Sequence, residues 1–490
     1  MRVLDVVNFS NWRNPAADSG VRLQSELIRA VARKRGDYFF YLLVPKELEK
    51  ELASTFSTDQ VQLIPTTLLS RQQGGSHHFD VRELRSLLDL RRIDVDVLFI
   101  NQPELTAGLL DFFNRVHFFD LHCFNYVHWM DWHRSDEVKN RWNAPGNLTL
   151  LSSVILSAVT GCNSAYGKAR IIREAARWFN DAALSQIERR LVPLHPGIQT
   201  NEVLAAKVRS HHPVKTIIYP FRAQKYTGFR AFIDHLAALW RKRQDFRVVV
   251  TNPSEYDYIK RYPQRLPFLE VGEFDRAQYL RELWKADIVV GCHNGASQWS
   301  LAAAEAVAAE CVPLFNSESF FEELLSAALP TGLPLAVRDR YFYYRSEFSK
   351  RLEYLLDNLD KERRLIRSIA HQVRSYYDWN NRVEDWIRCI EICDRASPEL
   401  RGQTDVSRRI DAIISRCGTI PKEELLRELG WHVKSRHISW TRYRKYLRAH
   451  YCEDCRSPLA AFSVHPNPDF PASRPESGKP TPIRSIRHRT

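Results

Sequence analysis

The apolar positions of this chain switch repeatedly between two periods. Short apolar runs read as buried strands at Val3–Val7, Tyr38–Val44, Val61–Ile64, Val95–Asn101, Phe124–Val127 and Val154–Cys162. Between them lie stretches of helical spacing. Val21–Arg35 places Leu23, Leu27, Ile28 and Val31 on one face, and Asn163–Ser164 caps a helix over Ala165–Phe179. The second half repeats the scheme. Strands are predicted at Thr216–Pro220, Arg247–Thr251, Leu269–Gly272, Ala286–Val290 and Val312–Phe315, with helices at Ala277–Trp284 and Gln298–Glu310. Alternation at this spacing gives a parallel, doubly wound sheet. Two such series predict an α/β protein with two Rossmann-like domains, 1–200 and 201–396, facing a cleft.

After residue 396 the pattern shortens. Val406–Arg416 is an amphipathic helix stopped by Gly418, Lys422–Leu429 is a second ended by Gly430, and Ser439–His450 is a third. Residues 405–455 thus form a small helical module. From Ser457 to 490 the chain is rich in Pro, Ser and Arg and reads as a disordered tail.

Composition changes this picture in two places. The net charge is +13, and nine of those charges fall in residues 401–490, which hold eighteen Lys and Arg against nine Asp and Glu. That asymmetry points to a polyanion as partner of the C-terminal part. Nine scattered cysteines fit a reducing compartment. No apolar run of about 18 residues exists, and the N-terminus reads as a strand and not a signal peptide. A cytoplasmic protein is expected.

The chemistry concentrates in Gly291–Leu314. A strand runs into a loop carrying Asn294 and Gly295, and then into an Ala-rich helix. The loop glycines admit a ligand to the backbone, and the helix start offers N–H groups and partial positive charge to an anion. Glu305 lies inside this apolar helix, where a carboxylate needs a partner such as ribose hydroxyls. Val3–Val7, a loop with Gly20 and the next helix make a second corner of this kind. In residues 118–134, His122, His128, His133, Asp120 and Asp131 crowd beside Trp129 and Trp132. Their spacing does not suit a metal. It suits an acid/base group, His128 or Asp131, with aromatics to stack a sugar or a base.

Residues 1–396 resemble the GT-B glycosyltransferases, especially retaining glycosyltransferase family 4. Glu305, Ala306, Ala308, Val312 and Pro313 match the second half of the family's donor motif. Ser297 stands where the family has a first Glu, and Glu310 where it has Gly. Arg222 and Gly228 hold the spacing of the family's diphosphate clamp, with Thr227 at its Lys position and Lys225 two residues earlier. Tyr376–Ile390 resembles the helix that crosses back to the first domain. The resemblance implies a nucleotide-sugar donor, expected to be a UDP-sugar, with no obligatory metal and with retention. It implies Glu305 on the ribose, Ser297 and Gly295 near the sugar and phosphates, Arg222 and Lys225 on the diphosphate with Gly20 beneath it, and His128 or Asp131 at the acceptor.

The third tail helix carries Arg442, Lys445 and Arg448 at helical spacing, with Arg444 off that row, and the module resembles a helix-turn-helix. Such a face meets phosphates first and base edges second. Together with the donor motif it resembles bacteriophage DNA-base glycosyltransferases, which implies duplex DNA carrying a hydroxymethylated base as acceptor. Two other readings stand beside it: a transferase acting on an envelope glycan or small molecule, and a non-catalytic DNA-binding protein on a transferase-like scaffold.

Overall fold

The computed structural model describes residues 1–7, 18–67, 83–84, 95–113, 121–128, 144–208, 214–223, 227–252, 266–293, 297–396, 405–429 and 461–463. Fifteen strands are present among them: β1 Arg2–Val6, β2 Phe39–Pro45, β3 Val61–Thr66, β4 Val97–Ile100, β5 Cys123–Val127, β6 Val159–Cys162, β7 Leu191–Pro193, β8 Lys215–Arg222, β9 Phe246–Asn252, β10 Leu269–Val271, β11 Ile288–Gly291, β12 Val312–Asn316, β13 Phe342–Tyr343, β14 Thr419–Pro421 and β15 Ala461–Ser463.

The first sheet has the order β3-β2-β1-β4-β5-β6-β7 and the second β10-β9-β8-β11-β12-β13. Every pairing within both is parallel. Parallel strands covered on both faces read as unbroken apolar runs, and β4, β5, β11 and β12 are buried at every position. In each sheet the strand order reverses once, between β1 and β4 and between β8 and β11. Ligands of doubly wound sheets lie at that reversal, beyond the carboxyl ends of the strands. The expected pair of Rossmann-like sheets is present.

Both sheets belong to one compact unit, residues 1–112 and 121–396. The helix Leu359–Tyr377 packs on the second sheet's core and ends at Asp378. Trp379–Ala396 then begins at once and buries Trp379, Val383, Trp386 and Ile390 in the core of the first sheet. The predicted closing helix is therefore the start of a separate, longer one. An isolated bridge pairs Asp378 with Ile198, the other point where the chain passes between the sheets.

A second unit comprises residues 113–120 and 397–490. Its described part is the helix Asp405–Cys417, strand β14, the helix Lys422–Glu428 and strand β15, which pairs antiparallel with β14. Ile410, Ile414, Ile420 and Leu425 are buried. Gly418 has φ 71, and its N–H donates to the Ile414 carbonyl, so it ends the first helix as expected. The predicted third helix lies outside the described residues; of the tail, expected to be disordered, residues 461–463 are described and form β15, held as a strand by its pairing with β14.

One strand assignment is corrected. Val154–Leu156 ends a helix, Ala144–Leu156, and β6 covers only Val159–Cys162. The helix is apolar nearly all round, so its last turn joins the following strand as one apolar run without helical period.

Candidate active site

The carboxyl end of β8 is tied to Thr227 by two hydrogen bonds. The Thr227 hydroxyl donates to the Arg222 carbonyl at 2.7 Å, and the Tyr219 hydroxyl donates to the Thr227 carbonyl at 2.8 Å. Thr227 is 1% exposed. Its hydroxyl thus closes the loop and brings no charge to the place where a Lys would do so. Arg222 ends the strand in a half-buried position. Gly228 has φ 75, and a Cβ there would lie 2.2 Å from the Cys292 carbonyl oxygen. This position requires glycine, because the turn of β8 presses against the loop after β11. Lys225 lies outside the described residues.

That second loop follows β11. His293 is buried among Phe221, Phe320 and Phe321, with ring centroids 4.6, 5.9 and 5.4 Å away. Burial pushes its imidazole down to about 3, so the ring is neutral. Its Nδ1 has no hydrogen-bond partner among the described residues, while its carbonyl accepts from the Asn316 amide at 3.0 Å. Ser297 and Gln298 are buried just beyond. The helix starts later than predicted, at Leu301, because the Ser300 hydroxyl accepts the Ala303 N–H at 3.2 Å and caps it. Gly295 lies outside the described residues.

Glu305 is 1% exposed, one turn into this helix. Its partners are two arginines: Arg22 Nη2 at 2.5 Å, from the first Rossmann half, and Arg276 Nη2 at 2.8 Å, from the second. Burial alone would raise the carboxyl. The two guanidiniums together outweigh it and bring Glu305 to about 2. Arg22 in turn donates from Nε to Glu26 at 2.8 Å, and Glu26 accepts the indole N–H of Trp379 at 2.7 Å. A continuous charged chain therefore runs between the two sheets, from Trp379 through Glu26, Arg22 and Glu305 to Arg276.

Gly20 sits in the first turn of the helix Ser19–Lys34, at the carboxyl end of β1. Its N–H donates to the Asp18 carboxylate at 2.8 Å. His128 ends β5 half-buried, its ring edge-on to Tyr126, and its carbonyl accepts the Asn163 amide at 2.7 Å. Asp131, Trp129 and Trp132 lie outside the described residues, as do Arg442, Arg444, Lys445 and Arg448. The structure therefore brings Glu305 and the Gly20 corner together, through Arg22. Among the described residues no group of three His, Cys, Asp or Glu is placed to hold a metal.

Sequence reasoning missed Arg22, Arg276, His293 and a second bridge between the halves. Glu323 accepts the N–H groups of Ala165 and Tyr166 at 2.6 and 2.7 Å, and His195 Nε2 lies 2.8 Å from the same carboxylate. Ser164 donates to the Gln298 carbonyl at 2.7 Å. A capped helix start at Ser164 was legible; its second cap, 158 residues away, was not.

Residues 224–388 match a family model described as glycosyl transferase-like. No curated protein matches the chain. Among solved structures, a glycosyltransferase from Rickettsia africae is 12% identical, with a TM-score of 0.57, covering 80% of this chain and 98% of its own. The Anabaena protein HepE in complex with UDP is 10% identical, with a TM-score of 0.55 over 80% of this chain and 100% of its own. Sucrose-phosphate synthase from Thermosynechococcus elongatus is 11% identical, with a TM-score of 0.57 over 79% and 98%. The fold is that of the GT-B glycosyltransferases, and the second Rossmann half carries the glycosyl transferase-like segment.

Proposed function

We propose that this chain is a glycosyltransferase that moves a sugar from a UDP-sugar, with retention, onto a hydroxyl of a modified base in DNA, such as a 5-hydroxymethylpyrimidine. The observation that carries the transferase reading is the meeting of the two strand-order reversals at Arg22 and Glu305. A nucleotide sugar bound there has its ribose beside Glu305 and its diphosphate between Arg222 and the helix that starts at Ser19. Fixed cations at that position stabilise the charge that the leaving diphosphate gains as the sugar bond breaks. HepE, a structural neighbour, has been solved with UDP-glucose, which supports a UDP-sugar donor here.

The DNA acceptor is supported by the basic excess of residues 401–490. His128, at the end of β5, is proposed to take the acceptor proton, with Asp131 as its neighbour in sequence. A second reading changes the acceptor to a glycan on an anionic lipid. It rests on Trp178, exposed just past a helix that carries Lys168, Arg170 and Arg173.

The test is nucleoside mass spectrometry after incubation of the full chain with a panel of nucleotide sugars and duplex DNA, plain or carrying 5-hydroxymethylcytosine or 5-hydroxymethyluracil. A nucleoside heavier by one sugar residue establishes the proposal and names donor and acceptor. Donor turnover without a nucleoside shift moves the acceptor to a glycan. Absence of turnover with every donor overturns the transferase reading.

A further inference from the structure

We infer that Arg22 is an exchangeable cation of the donor site. It pairs with Glu305 when the site is empty and passes to the donor diphosphate when a ribose hydroxyl takes its place on Glu305. This inference rests on the nucleotide-sugar reading above. It adds a diphosphate contact from the first Rossmann half.

Separating a buried ion pair is expensive when it strands a charge without a partner. Here it strands none. Glu305 keeps Arg276 at 2.8 Å. Arg22 keeps Glu26, one helical turn along, also at 2.8 Å. Glu26 is itself fixed by the Trp379 indole, so that fallback does not move. Each end of the pair has a second partner of opposite charge, Arg276 for Glu305 and Glu26 for Arg22, and the bond between them can be replaced without stranding either charge.

Arg22 is also placed to receive an anion. It lies two residues past Gly20, in the first turn of the helix that leaves β1, where the partial charge is positive. Its side chain is 23% exposed, against 1% for Glu305. Among the described residues its bonds are made from Nε and Nη2, and Nη1 makes none. A guanidinium engages a phosphate through two parallel N–H groups, and Nη1 with Nη2 supplies them once Glu305 is released. The need for this cation is visible at Thr227, whose hydroxyl is turned into the loop. The two ends of the broken pair match two neighbouring parts of one ligand: hydroxyl donors for the carboxylate, and phosphate oxygens for the guanidinium.

The exchange makes opposite predictions for two ligands. Inorganic pyrophosphate competes with Glu305 for Arg22 and brings no hydroxyls. Calorimetric titration of the full chain should therefore show Glu305→Gln binding pyrophosphate about tenfold more tightly than wild type. The same variant should bind UDP more weakly, having lost the ribose acceptor. Arg22→Gln should weaken both ligands, and in Arg22→Gln/Glu305→Gln the pyrophosphate gain should vanish. Arg22→Lys keeps the charge beside Glu26 and Glu305 but lacks the fork. If Arg22→Gln does not fold, Arg22→Lys serves in its place, with pyrophosphate weakened several-fold. Thermal melts identify which variants fold. Unchanged or weaker pyrophosphate binding by folded Glu305→Gln overturns the inference and makes the pair a fixed strut. UDP binding by wild type that folded Arg22→Gln leaves unchanged overturns the inference alone. Wild type that binds no UDP overturns the donor-site reading and this inference with it.

Discussion

Glu323, on the second Rossmann half, accepts both the Ala165 and Tyr166 N–H groups at the start of a helix of the first, at 2.6 and 2.7 Å. A carboxylate from one half thereby completes a helix of the other. Glu323→Ala leaves two helix-start N–H groups without that acceptor and is expected to cost about 0.5–2 kcal/mol, as for the loss of a helix cap. Glu323→Gln, which keeps one acceptor oxygen, should cost less. Urea unfolding of the two variants checks the order.

The Arg22–Glu305–Arg276 cluster sets an acid limit. Glu305 titrates near 2 in the folded chain against an ordinary 4.5. A depressed carboxylate contributes stability above its unfolded value and loses it as pH falls towards its folded value. The loss belongs to the window from 4.5 down to 2. Glu305→Ala removes it and leaves two half-buried guanidiniums facing one another, each with one remaining carboxylate, at a cost of about 1–3 kcal/mol. For the reaction, Glu305→Ala should raise donor KM more than it alters DNA affinity; unchanged donor kinetics would remove Glu305 from the site.

His293 acts in a different window. Its folded value, about 3, lies below an ordinary 6.5 because burial disfavours the charged ring. The unfolded chain then binds the proton first as pH falls, so stability drops from 6.5 downward. His293→Phe suits the surrounding Phe221, Phe320 and Phe321. It should flatten the stability profile between pH 6.5 and 4.5, measured as urea midpoints. An unaltered slope would mean that the imidazole is already charged in the fold.

Gly228 carries a steric prediction. Gly228→Ala would force a side chain into the left-handed region and against the Cys292 carbonyl. A loss of more than about 2 kcal/mol is expected. Donor affinity should fall with it, since the turn of β8 sets the position of Arg222. Gly332 also has positive φ but open space around it. Gly332→Ala serves as the control for strain without a clash.

Much of the fold was legible because parallel strands are short, unbroken apolar runs, and the helices between them carry a one-sided stripe. β7 and β13 escaped, being three and two residues long. The donor corner was legible in part. Glu305 stood out as one acid in an apolar helix, and Glu310 as an acid where the resembling family has Gly. The structure gives Glu310 φ 67, the conformation that glycine adopts at no cost. Arg22 was not legible as a site residue. It follows Gly20 on a helix with other arginines, and its distinguishing partner is 283 residues away. Nothing in local spacing separates it from Arg29 or Arg33.

The break at Asp378 has a consequence for how the chain is made. The first sheet finishes with β7 at Pro193, yet its core stays open until Trp379, Val383, Trp386 and Ile390 arrive. A ribosome must translate about two hundred further residues before those side chains exist. The half synthesised first is thus the half sealed last, and a nascent chain stalled before residue 379 exposes an apolar face that chaperones recognise.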